Sequence, residues 1–221
     1  MTRQAKLKLL TAIAAAAAVL LLFLWLANEV YEGDTLAFDN SVREWIHGFA
    51  TPGLTKFFIA ATFMGSTAMV VGLGIVSLAG FLIKRDRGAA VVLAIIVIGE
   101  AILSLAIKDY YARARPEPYF GYSLPASYSF PSGHSFASFC LYFTLAWLIS
   151  RRVGSNAAAI ALWVAAVVIV LLVGLSRIYL GVHYPTDVIA GYLAAALWSS
   201  IVLYGYHKHL QMKKAPPADG A

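Results

Sequence analysis

Long apolar runs separated by short polar breaks dominate this chain. A helix crossing a hydrocarbon core needs roughly 20 apolar residues. Runs near that length stand at Leu9–Ala27, Phe57–Ile83, Ala89–Ile107, His134–Ile149, Ala157–Leu175 and Val188–Tyr206. They predict an all-α polytopic membrane protein with six transmembrane helices. The fourth run is short and is expected to begin nearer Ser132, partly below the interface. The first run follows Arg3, Lys6 and Lys8, as the apolar core of a signal peptide would. It is long for that purpose, and no Ala-x-Ala site follows at Trp25–Glu29, so it reads as a retained span. Residues 1–214 read as one six-span domain. Ala215–Ala221 is a polar, proline-containing segment expected to be a disordered tail.

Composition agrees with a membrane setting. Only 13% of residues are charged and 61% are hydrophobic, whereas a soluble domain is charged at roughly a quarter of its positions. The single cysteine, Cys140, excludes an intramolecular disulfide and a thiolate metal cluster, and its apolar surroundings make it a packing residue. A net charge of +6 raises nucleic acid as a partner. The basic residues instead divide among the ends of the apolar runs and form no single stripe, which argues against it.

That division orients the bundle. Arg3, Lys6, Lys8, Lys84, Arg85, Arg87, Arg151, Arg152, Lys208, Lys213 and Lys214 all fall on one side, eleven of the 17 Lys and Arg residues. The positive-inside rule places this side, with both termini, in the cytoplasm. The segment Asn28–Lys56 is then outside. Val42, Trp45, Ile46 and Phe49 recur there at helical spacing, which fits either a short amphipathic helix lying on the membrane or a solvated loop with one packed turn.

Three polar clusters interrupt the oily pattern, all at the outer ends of runs three to six. They are Lys108-x6-Arg115-Pro116, Pro131-Ser132-Gly133-His134 and Ser176-Arg177-x5-His183-x3-Asp187. Lys is a point charge for phosphate, and Arg a planar fork for two of its oxygens. Ser132 is a natural N-cap, a helix start offers free N–H groups to an anion, and Gly133 permits close backbone approach. If Pro185 opens a helix, Asp187 lies in its first turn with His183 just before it. A carboxylate there fixes one imidazole nitrogen and leaves the other as a nucleophile or base. Arg177, ending an apolar span, requires a partner. Arg113 reads as a surface charge, with a further contribution to the site as the alternative. No carboxylate cluster suited to magnesium lies near these residues, and with three cations present no metal or other cofactor is required.

In this order, the clusters resemble those of the type 2 phosphatidic acid phosphatases, relatives of the vanadium haloperoxidases. Every fixed position of that family's pattern is matched, from Lys108 through Asp187. The resemblance implies that His183 attacks phosphorus to form a phosphohistidine, while Asp187 orients it. His134 then protonates the leaving oxygen and later activates water. Lys108, Arg115, Arg177, Ser132 and the Gly133 N–H hold the phosphoryl oxygens, with Ser176 in support.

Glu100, inside the third run, shares a helix face with Ser104 and Lys108. An acid at that depth needs a partner. It is expected either to face the bundle and support the cationic site from below, or to bond a neighbouring helix in its protonated form.

The function expected is an integral-membrane lipid phosphatase of the bacterial inner membrane, with its site facing the periplasm or exterior. Its partners are the bilayer and a lipid phosphate entering laterally. Phosphatidic acid, phosphatidylglycerophosphate, lipid A 1-phosphate and undecaprenyl diphosphate are the family's candidates, the last favoured by family frequency. A phosphotransferase using the same histidines is the alternative. A lipid transporter fits less well, because a transport path distributes ionisable groups through several spans and here they gather at one face. Tyr110, Tyr111, Tyr119, Phe120, Tyr122 and Tyr128 read as an interfacial aromatic belt. Haloperoxidase activity is not expected of a membrane-embedded chain, although vanadate should inhibit.

Overall fold

The computed structural model describes residues 3–214, and the expected tail at Ala215–Ala221 lies outside them. Eight helices follow in order: α1 Arg3–Glu32, α2 Leu36–His47, α3 Pro52–Phe63, α4 Thr67–Ile83, α5 Arg87–Tyr111, α6 Gly133–Ser150, α7 Asn156–Tyr179 and α8 Pro185–Lys214. No strand occurs among the described residues. By length and composition four stretches can cross a membrane: Leu9–Glu32 within α1, α5, α7, and Pro185–Gln211 within α8. The pair α3 and α4, bent by 44° at a short break, makes a fifth if the two count as one span. This is a multi-pass membrane protein. The fourth apolar run became α6, only 18 residues long. It packs against α5, α7 and α8 at the centre of the bundle.

Local chemistry sets most helix starts. Asp86, Ser132 and Ser155 each place a side-chain oxygen on a free N–H of the first turn of α5, α6 and α7. Such a cap contributes about 1 kcal/mol. Thr51 caps α3, with Pro52 at its first position, where no N–H is needed.

The second apolar run is not one helix as expected. It breaks at Met64–Ser66, and Ser66 Oγ accepts from the Met69 N–H to start α4 afresh. A side chain at Gly65 would put its Cβ 2.4 Å from Val173 Cγ1 and 3.2 Å from the His134 carbonyl oxygen. The break thus brings bare backbone against the start of α6.

The segment before α3 contains a helix, α2, and its aromatic rings face away from the protein. Trp45 and Phe49 are exposed, as is Phe38, while Asp39 and Arg43 are the buried residues. Arg43 Nη2 donates to the Glu117 carbonyl at 2.8 Å and to the Gly181 carbonyl at 3.4 Å. α2 therefore clamps the protein with its polar face and turns aromatic rings outward, as an interfacial helix does.

α8 meets the start of α6 more closely than any side chain allows. A Cβ on Gly191 would sit 2.8 Å from the Ser132 carbonyl oxygen and 3.1 Å from Ser135 Cβ. Gly191→Ala is expected to destabilise the protein by about 1–3 kcal/mol through overpacking against backbone. Thermal unfolding in detergent measures this, and an unchanged midpoint would show that α6 can retreat freely.

Candidate active site

The ends of α5 and α7, the starts of α6 and α8, and the connection 112–132 meet at one end of the bundle. The opposite end carries the loops with Lys84–Arg87 and Arg151–Arg152, where Arg152 pairs with Asp86. Lys108 stands in the last turn of α5, buried, and its Nζ donates to the Tyr128 carbonyl at 2.6 Å. Ala112 then adopts a left-handed conformation (φ +45°) and ends the helix. The next residue, Arg113, closes the base of the loop, its carbonyl accepting from the Ser129 N–H at 2.9 Å.

Arg115 is held on several sides by acceptors. Nε donates to the Ser127 carbonyl at 2.7 Å, Nη1 to the Val182 carbonyl at 2.9 Å and Nη2 to the Tyr128 carbonyl at 3.2 Å. Nη1 also lies 2.9 Å from His183 Nε2. A guanidinium only donates, so Nε2 is the acceptor and the ring proton belongs on Nδ1. Nδ1 faces Asp187 Oδ2 at 3.2 Å, which fits that tautomer.

The sharp return from α7 to α8 sets this histidine. Gly181 takes φ +75°, where a side chain would be strained. A Cβ there would also fall 2.7 Å from the Tyr119 nitrogen. The Val182 and His183 N–H groups both donate to the Arg177 carbonyl. Burial pushes the His183 imidazole down to about 3, against the opposing pull of its Asp187 hydrogen bond. It is therefore neutral at ordinary pH, with its Nε2 lone pair turned to Arg115.

Asp187 is fully buried and its carboxylate is saturated with donors. Besides His183, Ser129 Oγ donates to Oδ2 at 2.5 Å and the Tyr184 N–H at 3.0 Å. Arg113 Nη1 reaches Oδ1 at 2.6 Å.

Lys108, Arg115, Gly133, His134 and His183 line one cavity of about 320 Å³. Ser132, Arg177 and Asp187 are buried but do not line it. Arg177 finds its partner in Thr62, whose Oγ1 accepts from Nη1 at 2.7 Å. Ser132 Oγ accepts from Ser135 Oγ at 3.0 Å, and the Ser132 N–H donates to the Asp187 carbonyl at 2.9 Å, locking α6 to α8. Ser176 does not join the site, because its hydroxyl donates to the Val173 carbonyl within α7. Among the described residues, no three His, Cys, Asp or Glu side chains gather as metal ligands would.

A family description, the PAP2 superfamily, matches residues 89–211, more than half of the chain and all three polar clusters. The chain belongs to the PAP2 superfamily. Among its relatives, phosphatidylglycerophosphatase B of Bacillus subtilis (strain 168) is 27% identical over 173 residues, spanning 78% of this chain and 85% of that protein. An undecaprenyl-diphosphatase of Sulfolobus acidocaldarius is 31% identical over 124 residues, 54% of this chain and 55% of the relative. The crystal structure of a transmembrane PAP2-type phosphatidylglycerolphosphate phosphatase from Bacillus subtilis superposes with a TM-score of 0.80 at 25% identity. It covers 91% of this chain and 98% of that one. This PAP2 protein thus shares its fold with membrane lipid phosphatases, as the resemblance implied.

Several residues of the PAP2 site escaped the sequence reading. Arg113 is not a surface charge: its side chain is 9% exposed and bridges Asp187 and the fully buried Asp39 of α2. It was misread because its partners lie 74 residues away on either side. Asp39 further accepts from the Thr186 N–H at 3.0 Å and from Thr186 Oγ1 at 2.7 Å. Ser129 and Thr62 carry no motif signal at all. The one available clue in α2 was Asp39 and Arg43 four apart, a polar pair on one helix face.

Proposed function

We propose that this protein is an integral-membrane lipid phosphatase acting through a covalent phosphohistidine at His183. The observation that carries this is the Asp187-anchored imidazole whose Nε2 points at a cation-lined cavity. Nε2 attacks phosphorus, the bond from phosphorus to the lipid oxygen breaks, and His134 delivers a proton to that oxygen. Water then gives a proton to His134 and attacks phosphorus, the P–N bond breaks, and phosphate leaves. Arg115, which donates to Nε2, turns its guanidinium to the phosphoryl oxygens when these approach. Lys108 and the N–H groups at the start of α6 share the developing charge, with Arg177 behind them. Fixed donors in a dry site are the main lever on so slow a reaction.

We place α1, the α3–α4 pair, α5, α6, α7 and α8 as six membrane passes. Both termini then lie in the cytoplasm and the cavity opens at the outer face, in line with the charge bias. The cavity descends between α4 and α5 past Val70, Val71, Val97 and Leu105. A second, apolar cavity of about 230 Å³ shares Val71 and Val97 and runs on past Ile75 and Leu93. Lipid tails can follow this course while the phosphate stays at the interface. The Bacillus subtilis relative and the Bacillus subtilis crystal structure are both named for phosphatidylglycerophosphate, which favours a phosphoglycerolipid over the undecaprenyl diphosphate suggested by family frequency.

Phosphate release from dioleoyl phosphatidylglycerophosphate, dioleoyl phosphatidate and undecaprenyl diphosphate, in detergent with excess EDTA, tests this. Release from at least one lipid, undiminished by EDTA and blocked by vanadate, is expected. Loss of turnover in EDTA would overturn the metal-free mechanism.

A further inference from the structure

Glu100, Ser104 and Lys108 form a polar stripe down one face of α5, each no more than 6% exposed, and all three line the main cavity. At 1.5 Å per residue, Ser104 lies about 6 Å and Glu100 about 12 Å below Lys108 along the axis. Apart from Thr67, the wall facing this stripe is apolar, with Val70, Val71, Val97 and Leu105.

Glu100 neither supports Lys108 through an ion pair nor bonds a neighbouring helix. Lys108 Nζ is committed to the carbonyls of Tyr128 and Ser129. Among the described residues, no hydrogen-bond donor contacts the Glu100 carboxyl. Ser104 Oγ turns toward the start of α6, 3.6 Å from where a Cβ on Gly133 would stand. A buried carboxyl facing a cavity without a protein partner costs stability unless something else uses it.

We infer that Glu100 and Ser104 form a subsite that reads an oxygen-bearing linkage just below the substrate phosphate, and so select phosphoglycerolipids over prenyl phosphates. In a phosphoglycerolipid, hydroxyl or ester oxygens follow the phosphate within a few bonds. In a prenyl phosphate, hydrocarbon follows at once. With phosphate at Lys108, glycerol oxygens come level with Ser104 and the ester groups descend toward Glu100. A carboxyl there accepts a hydroxyl hydrogen or hands its own proton to an ester carbonyl. A prenyl chain offers nothing in return and leaves both groups desolvated. This selection rests on the lipid-phosphatase activity proposed above.

The test compares kcat/KM for dioleoyl phosphatidate and farnesyl diphosphate in wild type, Glu100→Leu, Glu100→Gln and Ser104→Ala, with unfolding midpoints measured in parallel. In Glu100→Leu the phosphatidate-to-farnesyl ratio is expected to fall about tenfold, the worth of one hydrogen bond to a buried group. Ser104→Ala lowers it less, and Glu100→Gln, which keeps a hydrogen-bonding amide, preserves most of it. An unchanged ratio in both Glu100→Leu and Ser104→Ala, or an equal fall on both substrates, would overturn the subsite. If wild type releases phosphate from neither lipid, the phosphatase activity itself fails, which is a distinct outcome.

Discussion

Replacing His183 with Gln is expected to lower lipid-phosphate turnover by about four orders of magnitude or more, the scale seen when a nucleophile is removed from a site that otherwise stays intact. Gln keeps a donor for Asp187 but has only a weakly nucleophilic amide to offer phosphorus. KM should change far less than kcat, because Lys108, Arg115 and the start of α6 still bind the phosphate. Asp187→Asn should also be severe. It removes the carboxylate that keeps the His183 proton on Nδ1, and a histidine in the wrong tautomer presents N–H, not a lone pair, to the substrate. Phosphate release in detergent, with an unfolding curve for each variant, separates lost chemistry from lost fold. Turnover within tenfold of wild type in His183→Gln would exclude His183 as the nucleophile.

Arg113→Leu is expected to have the largest effect on stability, about 3–5 kcal/mol, because it leaves Asp39 and Asp187 buried without the cation between them. Both carboxylates are wholly inaccessible, so water cannot take the place of the guanidinium. Tyr184, whose ring the Arg113 guanidinium covers at 4.1 Å, loses a packing partner as well. Adding Asp39→Asn to Arg113→Leu should recover part of the loss by removing one stranded charge. An additive further loss in the double variant would show that Asp39 and Arg113 do not act as a pair. The measurement is thermal unfolding in detergent at neutral pH.

The helices were legible because an apolar run of membrane length has few other uses, and the site because polar residues in such runs are costly. Lys108, Arg115, His134 and His183, read from three separate motifs, do line one cavity. What stayed hidden depends on distant partners. Nothing local in Leu36–His47 says that Asp39 will find Thr186, 147 residues on, so the outward apolar stripe of the helix was legible and the polar face that holds it to the protein was not. Arg113 was hidden for the same reason. The break at Gly65 was hidden in another way: glycine and serine are common inside membrane runs, and only the close approach of Val173 and His134 shows why the backbone turns there. Ser176 marks the opposite error. It belongs to the motif by position, yet its hydroxyl is consumed by its own helix.

Trapping the covalent intermediate tests the mechanism most directly. Protein mixed with lipid carrying radiolabelled phosphate is quenched within a single turnover and its peptides are mapped. A phosphohistidine at His183 predicts label that is stable in base, lost in acid and confined to the peptide containing His183. The label should be absent from His183→Gln and should persist longer in His134→Ala, where water is not activated. Label on a different residue, or rapid turnover with no labelled protein at any quench time while His183→Gln remains active, would contradict it.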